Sequence, residues 1–378
     1  MFRLFYLMKF VIDQNIPFIR GVFESVAEVQ YLSSQEIDNE AIKDADALII
    51  RTRTHCNEQL LKGTKVRFIA TATSGSDHID FDFCKKNNIE IAVALGCNAR
   101  SVAQYVGAAV GFWQNTSRKG RKDLKQRTRS IYNCAFFSYF LRSLREVTSS
   151  KKLNVGIVGY GHIGKEVENV AKLLNFNILL NDPPLQKSTD SKKFVSLQHI
   201  AENADIITFH TPLTFDGEFP TKNLANNLFF EALKRKPLII NTTRGGVVDE
   251  TELLNAYKSG KVADFVIDCW ENEPQISCEL LQNALIATPH IAGYSANGKA
   301  NATKMSVRSV AEFFGFDILN NFEIILPKNE QKCTDFKSAQ TLFLQNYNIA
   351  YDSEKLKSNP ENFEFFRNNY PERREIDY

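Results

Sequence analysis

Residues 153–182, LNVGIVGYGHIGKEVENVAKLLNFNILLND, contain four features in a fixed order. An apolar run leads into Gly159, Gly161 and Gly164, which have the spacing G-x-G-x-x-G. Apolar residues at helical spacing follow, and a second apolar run ends at Asp182. This order predicts a strand, a tight turn, a helix and a second strand, which together form a dinucleotide-binding unit.

Each glycine of this turn has its own physical role in the predicted unit. The first allows the tight turn, the second lets a pyrophosphate approach the backbone, and the third lets the helix pack on the strand. Asp182 stands where a carboxylate accepts hydrogen bonds from the ribose hydroxyls and repels a 2′-phosphate. We therefore predict NAD rather than NADP as the cofactor. A glycine-rich structural turn is the alternative.

The composition is that of an ordinary soluble globular protein with two or three domains. The chain has 378 residues, of which 43% are hydrophobic and 24% charged. Residues 114–150 hold nine Lys or Arg against two acids, and subtracting that +7 from the net charge of +2 leaves the rest near −5. We expect no general affinity for nucleic acid or membranes. The seven scattered cysteines form no C-x-x-C pair, which predicts reduced thiols in a cytoplasmic protein without a metal site.

The first ninety residues alternate short apolar runs with polar or helical segments, which predicts a small α/β domain. Two loops after predicted strands carry polar groups, at residues 51–54 and 71–80. Arg51 and Arg53 suit a phosphate because guanidinium groups bind its oxygens in pairs, and Thr52 offers a hydroxyl. Gly75 allows backbone N–H groups to point at a carboxylate. Solvated arginines and an ordinary serine turn are the alternatives.

Four later apolar runs also end in polar residues, and the carboxyl ends of parallel strands meet at one sheet edge. The residues at these ends are Thr211, Thr242, Thr243, Arg244, Asp268, Glu273 and His290. We predict that His290 accepts and returns the proton of a hydroxyl group. Glu273 would fix the ring tautomer, and Arg244 would hold a carboxylate and polarise an oxygen. The alternatives are a buried structural histidine, a helix-start acid and a turn arginine.

The remaining segments predict how the chain is organised. A helix near residues 102–113 leads into the second domain, and a helix near 300–314 returns to the first. The basic stretch 114–150 is amphipathic enough to address a membrane or an acidic partner, but an inserted surface excursion explains it as well. The predicted domains are residues 1–100 with 294–327, residues 101–293, and residues 328–378. Met8 begins a natural first strand, so residues 1–7 are interpreted either as a disordered extension or as the result of a misassigned start.

Four strings resemble the D-2-hydroxyacid dehydrogenase family: VGIVGYGHIG, NTTRGGVVDE, DCWENEP and TPHIAGYS. The family's catalytic Arg, Glu and His fall in the last three, at Arg244, Glu273 and His290. The likeness covers nearly the whole chain, although residues 114–150 are longer than the family's link and GYSANGKANAT lacks a usual acid and arginine. The resemblance implies an α/β protein with two Rossmann-like doubly wound domains, a flavodoxin-like substrate domain and an NAD-binding domain. It also implies a small C-terminal dimerisation region, hence a homodimer.

The resemblance further implies site residues that spacing alone does not give. The implied substrate contacts are Thr52, Thr73 and Tyr294. The implied NAD contacts are Asp182, Thr211, Thr242, Thr243, Arg244, Asp268 and Gly293. The implied activity is NAD-dependent oxidation of a phosphorylated sugar acid at its C2 hydroxyl. Two alternatives stay open: a dehydrogenase for another phosphorylated 2-hydroxy acid, such as 3-phosphoglycerate, and a non-catalytic binding protein gated by NAD.

Overall fold

The computed structural model divides the chain into two compact units, which we describe one at a time. It describes residues 8–117, 152–327, 329–333 and 336–378. The first unit holds the residues up to Asn98 and those that follow from Ser295 to 327, and the second holds Ala99–Tyr294 and Asn329–Tyr378. Residues 1–7 and 118–151 lie outside the described residues. The terminal extension and the excursion from residue 118 onward therefore stay predictions.

Five parallel strands form the sheet of the first unit, in the order β2-β1-β3-β4-β5. They are β1 (Lys9–Asp13), β2 (Glu28–Leu32), β3 (Ala47–Ile50), β4 (Phe68–Thr71) and β5 (Glu90–Val93). The order reverses direction between β1 and β3, as in flavodoxin-like doubly wound sheets. The helices of this unit are α1 (Glu58–Leu61), α2 (Phe81–Lys86) and α10 (Ala296–Phe314), with a short 3-10 helix at Asp317–Leu319.

Both faces of this sheet are buried. Phe10 and Ile12 of β1 join one core cluster, whereas Val11 between them joins the cluster on the other face. Helix α10 covers the first face with Val307 and other apolar residues, and α1 and α2 cover the second. A parallel sheet covered on both faces requires near-continuous apolar strands, which explains the unbroken apolar runs of the sequence.

Six parallel strands form the sheet of the second unit, in the order β11-β10-β9-β8-β6-β7. They are β6 (Asn154–Val158), β7 (Asn177–Asn181), β8 (Ile206–Phe209), β9 (Leu238–Asn241), β10 (Asp264–Ile267) and β11 (Ile286–Ala287). A single parallel bridge joins Leu180 of β7 to Phe194, where the Rossmann order 3-2-1-4-5-6 has its third strand. The predicted α/β class with doubly wound sheets is confirmed.

Helices flank the second sheet on both faces. They are α3 (Ala99–Ser117), α4 (His162–Leu173), α5 (Pro183–Thr189), α6 (Leu197–Asn203), α7 (Asn227–Glu231), α8 (Glu250–Lys258), α9 (Cys278–Asn283), α11 (Phe336–Asn346), α12 (Ile349–Ser358) and α13 (Phe363–Asn368), with a 3-10 helix at Pro360–Asn362. Val155 and Ile157 of β6 share one cluster with residues of α3, α4 and α11, whereas Val158 faces α6 and α8. A Cβ on Gly156 would overlap Ile200, so this glycine brings α6 close to the sheet.

The C-terminal segment, residues 329–378, is part of the second unit. Helix α11 packs on α3, and α12 packs on β11. The Ser353 hydroxyl accepts a hydrogen bond from the Ala287 amide at 3.0 Å. The Gln104 side chain of α3 bonds both the amide and the carbonyl of Ile376, at 3.1 and 2.7 Å. These contacts attach the predicted third domain to the sheet of the second, while its role in dimerisation stays a prediction.

Candidate active site

The glycine-rich turn joins β6 to α4 and depends on the absence of side chains. Gly159 has a φ of +91°, and a Cβ there would lie 2.7 Å from the carbonyl carbon of His210. A Cβ on Gly164 would overlap the carbonyl oxygen of Gly159, so Gly164 lets α4 pack against the turn. A Cβ on Gly161 would meet nothing within 4 Å. Because Gly161 is the N-cap residue of α4, the first N–H groups of that helix remain for an anion.

Asp182 follows β7 and lies against the glycine-rich turn. Its carboxylate accepts hydrogen bonds from the backbone amides of Tyr160 at 2.7 Å and Leu185 at 2.9 Å. The Tyr160 ring packs edge-on against Phe194 with centroids 5.7 Å apart, and the Tyr160 hydroxyl bonds Glu168. These bonds fix the carboxylate beside the turn, where we predicted the ribose to bind.

Two threonine hydroxyls after β8 and β9 fit a bound cofactor. Thr211 Oγ1 and Thr242 Oγ1 are buried and have no hydrogen-bond partner among the described residues. The Thr243 hydroxyl donates to the Thr211 carbonyl and so ties the two strand ends together. Burial lowers the pKa of the neighbouring His210 to about 3, so this imidazole stays neutral. Since buried hydroxyls are normally paired, the two unpaired ones are groups that a dinucleotide would satisfy.

Arg244 lies in the turn after β9, which packs directly on the turn after β10. The Asn241 side-chain amide donates to the carbonyls of Arg244 at 3.1 Å and Cys269 at 3.2 Å. A Cβ on Gly245 would overlap the carbonyl oxygen of Trp270. Only glycine permits this approach, which brings the Arg244 turn next to the turn that carries Glu273. The Arg244 guanidinium donates to the Thr243 carbonyl at 2.7 Å.

Glu273 and His290 form a hydrogen-bonded pair. His290 Nδ1 lies 2.9 Å from Glu273 Oε2 and 3.1 Å from Oε1. Oε1 also accepts a hydrogen bond from the Trp270 amide at 2.9 Å. Burial would raise the pKa of Glu273, but the bonds from His290 and Trp270 and the charge of Arg367 outweigh burial and lower it. The carboxylate is therefore ionised, and Nε2 is the ring nitrogen left to exchange a proton with a ligand.

Asp268 holds the loop after β11 that carries His290, residues 288–294, which we call the histidine loop. Its carboxylate is buried and accepts hydrogen bonds from the Thr288 hydroxyl at 2.6 Å and from the amides of Ile291 at 2.8 Å and Ala292 at 3.0 Å. The Asp268 carbonyl accepts from the His290 amide at 2.9 Å, and His290 has a left-handed φ of +56°. Burial raises the pKa of Asp268, whereas these donors and the nearby imidazole oppose the rise. Asp268 thus sets the orientation of the loop, and its predicted contact with NAD stays a prediction.

One group of side chains has the spacing of a metal site. The ligand atoms of Cys269, Glu273 and His290 lie within 4.8 Å of one another. Burial raises the pKa of the Cys269 thiol well above its usual range, so the thiolate that a metal requires is disfavoured. Arg367 also lies 3.6 Å from the Glu273 carboxylate, where its charge opposes a cation. We therefore assign no metal to this group.

Two arginines of the C-terminal segment lie at this edge of the sheet, Arg373 at the loop that carries His290 and Arg367 at Glu273, and neither is a predicted site residue. Arg373 donates to the carbonyls of Ile291 at 2.9 Å and Ala292 at 3.4 Å, and its guanidinium lies 3.4 Å from the centroid of the Tyr347 ring. Arg367 Nη1 lies 3.6 Å from Glu273 Oε2. Both arginines lie in the string NPENFEFFRNNYPERRE. A local sequence pattern does not show where this segment packs in the fold.

The chain directly after the first polar loop, at Cys56, is joined to the second polar loop of the first unit. The Cys56 amide donates to the His78 carbonyl at 2.8 Å, and the Asp80 amide donates to the Cys56 carbonyl at 2.8 Å. Thr73 lies in a chain of hydrogen bonds, because its hydroxyl donates to the Gly75 carbonyl at 2.9 Å and lies 2.8 Å from the Thr71 hydroxyl.

The side chains predicted to contact substrate in the first loop lie at the surface of the first unit. Thr52 and Arg53 are exposed. Arg51 donates to the Asn15 carbonyl at 3.2 Å. The structure thus attaches the end of the first loop to the second loop through Cys56. The substrate contacts at Arg51, Thr52, Arg53, Thr73 and Gly75 stay predictions.

Within the second unit the strand ends meet as predicted. The residues brought together at the carboxyl edge of the sheet include Thr211, Thr242, Thr243, Arg244, Asp268, Glu273 and His290. Gly293 and Tyr294 follow in the loop that Asp268 anchors, and the Tyr294 amide donates to the Ile291 carbonyl at 2.9 Å. Their roles toward a cofactor or substrate stay predictions. Among the described residues, no helix has the length and apolar character needed to span a membrane.

Comparison with known proteins identifies the second unit and most of the chain. Residues 120–292 match the family model described as "D-isomer specific 2-hydroxyacid dehydrogenase, NAD binding domain". The chain is 44% identical over 369 residues to erythronate-4-phosphate dehydrogenase of Bacteroides thetaiotaomicron, which covers 97% of each protein. It is 35% identical to the protein of the same name from Porphyromonas gingivalis, over 98% of this chain and 94% of that one. The predictions of an NAD-binding domain and of NAD as cofactor are confirmed.

Solved structures show the same fold at lower identity. D-lactate dehydrogenase from Aquifex aeolicus, solved with NAD and lactic acid, aligns with a TM-score of 0.63 and 22% identity over 85% of this chain and 100% of its own. NAD-bound 3-phosphoglycerate dehydrogenase of Entamoeba histolytica aligns with a TM-score of 0.63 and 23% identity over 84% of this chain and 99% of its own. At these identities the likeness describes the fold alone.

Proposed function

Because this chain belongs to the D-2-hydroxyacid dehydrogenase family, we propose that it oxidises 4-phospho-D-erythronate at C2 with NAD. The products are 2-oxo-3-hydroxy-4-phosphobutanoate, NADH and a proton, and the step belongs to pyridoxal 5′-phosphate biosynthesis. The relatives named erythronate-4-phosphate dehydrogenase support this substrate, since the alignment with one of them covers 97% of each protein at 44% identity.

The observation that carries the mechanism is the 2.9 Å hydrogen bond between His290 Nδ1 and Glu273. Oxidation of a secondary alcohol removes the hydroxyl proton as the C2 hydride leaves. We assign proton removal to His290 Nε2, because Nδ1 is held by Glu273. The ionised Glu273 stabilises the imidazolium that forms, and in the reverse direction the same ring returns the proton. NAD, when bound, supplies the acceptor for the hydride.

Substrate positioning is assigned to cationic and hydroxyl groups. We propose that Arg244 holds the carboxylate and polarises the C2 oxygen, because its turn packs against the turn of Glu273. Tyr294 is a proposed substrate contact in the same unit. In the first unit, Thr52, Thr73 and the turn at Gly75 are proposed to contact the substrate. Arg51 and Arg53 are proposed for the phosphate, because guanidinium groups bind its oxygens in pairs.

Cofactor binding is assigned to the glycine-rich turn and to residues that follow β7, β8, β9, β10 and β11. The pyrophosphate is proposed to lie at Gly159, Gly161 and Gly164, where only Gly161 has open space above it. Asp182 is proposed to accept the ribose hydroxyls. The remaining proposed contacts are Thr211, Thr242, Thr243, Arg244, Asp268 and Gly293.

A substrate panel tests the activity. NADH formation is followed with 4-phospho-D-erythronate, 3-phosphoglycerate and D-lactate, and the reverse reaction is followed with the 2-oxo acid and NADH. We expect the highest kcat/KM for 4-phospho-D-erythronate. A higher value for 3-phosphoglycerate would favour a dehydrogenase of that type, and turnover of none of them in either direction would remove the proposal.

The variant His290→Ala separates an enzyme from a binding protein gated by NAD. Loss of the general base should lower kcat by roughly 10²-fold or more. NAD affinity, measured by calorimetry, should remain, because His290 is not among the proposed cofactor contacts. Thr189→Ala is a surface control, since the exposed Thr189 hydroxyl donates to the helix carbonyl of Leu185. Unchanged kcat in His290→Ala would contradict the assigned role.

We also propose that the protein is a cytoplasmic homodimer. Large apolar side chains are exposed on the C-terminal segment, with Tyr351 at 50% and Phe365 at 60%, and burial against a second copy would remove them from water. Light scattering should give twice the chain mass of 43.0 kDa, and a mass of one chain would contradict the dimer. The six cysteines among the described residues are free, which suits a reducing compartment. Cell fractionation tests the location.

A further inference from the structure

Helix α13 carries a cation to the carboxylate of the proposed proton-transfer pair. Arg367 Nη1 lies 3.6 Å from Oε2 of Glu273, the same oxygen that lies 2.9 Å from His290 Nδ1. Both side chains are largely buried, at 20% exposure for Arg367 and 18% for Glu273. An ion pair at this depth is screened less than a surface pair. The carboxylate is therefore held from two sides, by His290 and by Arg367.

The helix that carries Arg367 is fixed to the second unit. Phe363, at its first position, is fully buried in the core with α8 and α9. Beyond the helix, the Tyr370 hydroxyl donates to Asp352 at 2.7 Å, and Arg373 donates to the Tyr370 hydroxyl at 2.7 Å. Arg373 also donates to the Ile291 carbonyl in the histidine loop. Arg367 thus approaches Glu273 from an element whose two ends are anchored.

The charged forms of Glu273 and Arg367 stabilise each other. Burial would lower the pKa of the Arg367 guanidinium, but its interactions with Tyr294 and Glu273 raise it above its ordinary value. The charge of Arg367 contributes in turn to the lowered pKa of Glu273, after the hydrogen bonds from His290 and Trp270. The other titratable groups whose charges act on this cluster are Cys269, Asp268, Glu250 and Arg244. Arg367 lies within ion-pair distance of the carboxylate.

We propose that Arg367 is a positioning residue for the Glu273–His290 pair. Its guanidinium orients the Glu273 carboxylate toward His290 and keeps it ionised at the pH of catalysis. The C-terminal segment therefore completes the active site of its own chain, in addition to any role in dimerisation. This inference rests on the proposed function, because it assigns Arg367 to the proton-transfer step of that reaction.

Arg367→Gln tests the proposal because it removes the charge and keeps hydrogen-bonding capacity. Loss of a cation beside a carboxylate favours the protonated form, so the acid limb of the kcat/KM profile should move to higher pH by about one unit. We expect kcat at neutral pH to fall about 10-fold, with a smaller change in KM, because the pair acts on the proton and not on substrate binding. Arg367→Lys retains the charge and should recover most of the acid-limb position.

Arg235→Gln is the matched control. Arg235 Nε lies 2.9 Å from Asp205, a half-buried arginine–carboxylate pair in the same unit that precedes β8, away from the carboxyl edge of the sheet. Its loss should leave both kcat and the pH profile unchanged. Circular dichroism and thermal melting of all variants separate lost positioning from lost folding.

A double-mutant cycle shows whether Arg367 acts through Glu273. In the Glu273→Gln background there is no carboxylate to orient, so adding Arg367→Gln should change kcat less than twofold. Wild-type kcat and pH profile in folded Arg367→Gln, or equal losses in both backgrounds, would overturn the proposal.

A measurement without substrate keeps this test separate from the proposed function. The titration midpoint of the Glu273–His290 pair can be followed from the ring C–H signals of His290 by NMR, with His290→Asn as the assignment control. Arg367→Gln should move this midpoint upward, and an unmoved midpoint would count against the inference even if turnover is observed. If the wild-type protein turns over no 2-hydroxy acid but the midpoint moves, the proposed function fails and the electrostatic role of Arg367 stands.

Discussion

The glycine-rich turn and the histidine loop lie at the carboxyl ends of strands in one sheet, yet they are built in opposite ways. The turn after β6 works through missing side chains, since Gly159 and Gly164 have neighbours where a Cβ would be. The loop after β11 works through side chains from distant parts of the chain, with Asp268 bonding its amides and Arg373 its carbonyls. The glycine-rich turn is therefore determined by residues that are close in sequence, whereas the loop after β11 depends on contacts from the whole unit.

The largest expected effect is that of Gly159→Ala in the glycine-rich turn. A left-handed φ costs an L-residue about 1–2 kcal/mol, and the new Cβ would also press on the backbone of His210. Overpacking adds about 1–3 kcal/mol. We expect a loss of about 2–5 kcal/mol in the free energy of unfolding and no measurable NAD binding. Urea denaturation and calorimetry measure both, and wild-type stability would show that the turn relaxes at little cost.

The second effect, in the histidine loop, is that of Asp268→Ala. The amides of Ile291 and Ala292 and the Thr288 hydroxyl would each lose an acceptor in a buried site, at about 1–3 kcal/mol for a buried group left unpaired. Because the raised pKa of Asp268 indicates that its burial is itself costly, we expect a net loss of about 2–4 kcal/mol, together with a lower kcat. Asp268→Asn keeps one acceptor oxygen, so its free energy of unfolding should lie between those of the wild type and Asp268→Ala. Denaturation without NAD separates loop support from cofactor binding, and an unchanged midpoint would reject the anchoring role.

A smaller effect, on binding alone, is expected of Gly161→Ala. A Cβ at this position meets no protein atom, so thermal stability should stay at the wild-type value. The methyl group would instead occupy the space proposed for the pyrophosphate, and we expect NAD affinity to fall at least about 10-fold, which is about 1.4 kcal/mol. Gly159→Ala is its matched partner. Equal NAD affinity in Gly161→Ala and wild type would place the pyrophosphate elsewhere.

The smallest effect concerns Glu250, which lies beside the Glu273 turn. Its carboxylate accepts the Glu271 amide at 2.7 Å, and burial raises its pKa to about 7. The Glu250 carboxyl therefore binds a proton more tightly in the folded state than in the unfolded state. The free energy of unfolding falls as pH rises from about 4.5 to 7, and above pH 7 the whole loss remains. Glu250→Gln should therefore raise the free energy of unfolding by about 1–2 kcal/mol at pH 8 and leave it unchanged at pH 4. Thermal melts at the two pH values check this, and a gain at pH 4 of the same size would contradict the pKa argument.

The local sequence predicted the glycine-rich turn well because its determinants are adjacent in the chain. Gly159, Gly161, Gly164 and Asp182 lie within one strand–turn–helix–strand unit, and backbone sterics act over a few residues. Apolar runs likewise predicted two parallel sheets, since strands covered on both faces must be apolar throughout. The order of polar residues at strand ends, together with the family resemblance, selected Arg244, Glu273 and His290 as the proposed catalytic residues.

Sequence by itself therefore determined the fold class, the cofactor and the residue types of the proposed site. Tertiary structure alone decided that Asp268 anchors the loop of His290, and that Arg367 of the C-terminal segment reaches Glu273. The physical reason is range. Backbone conformation and periodicity are set by neighbours in the chain, whereas the pairing of buried charges is set by which surfaces pack together. Arg367 and Glu273 become neighbours only when α13 packs into the second unit.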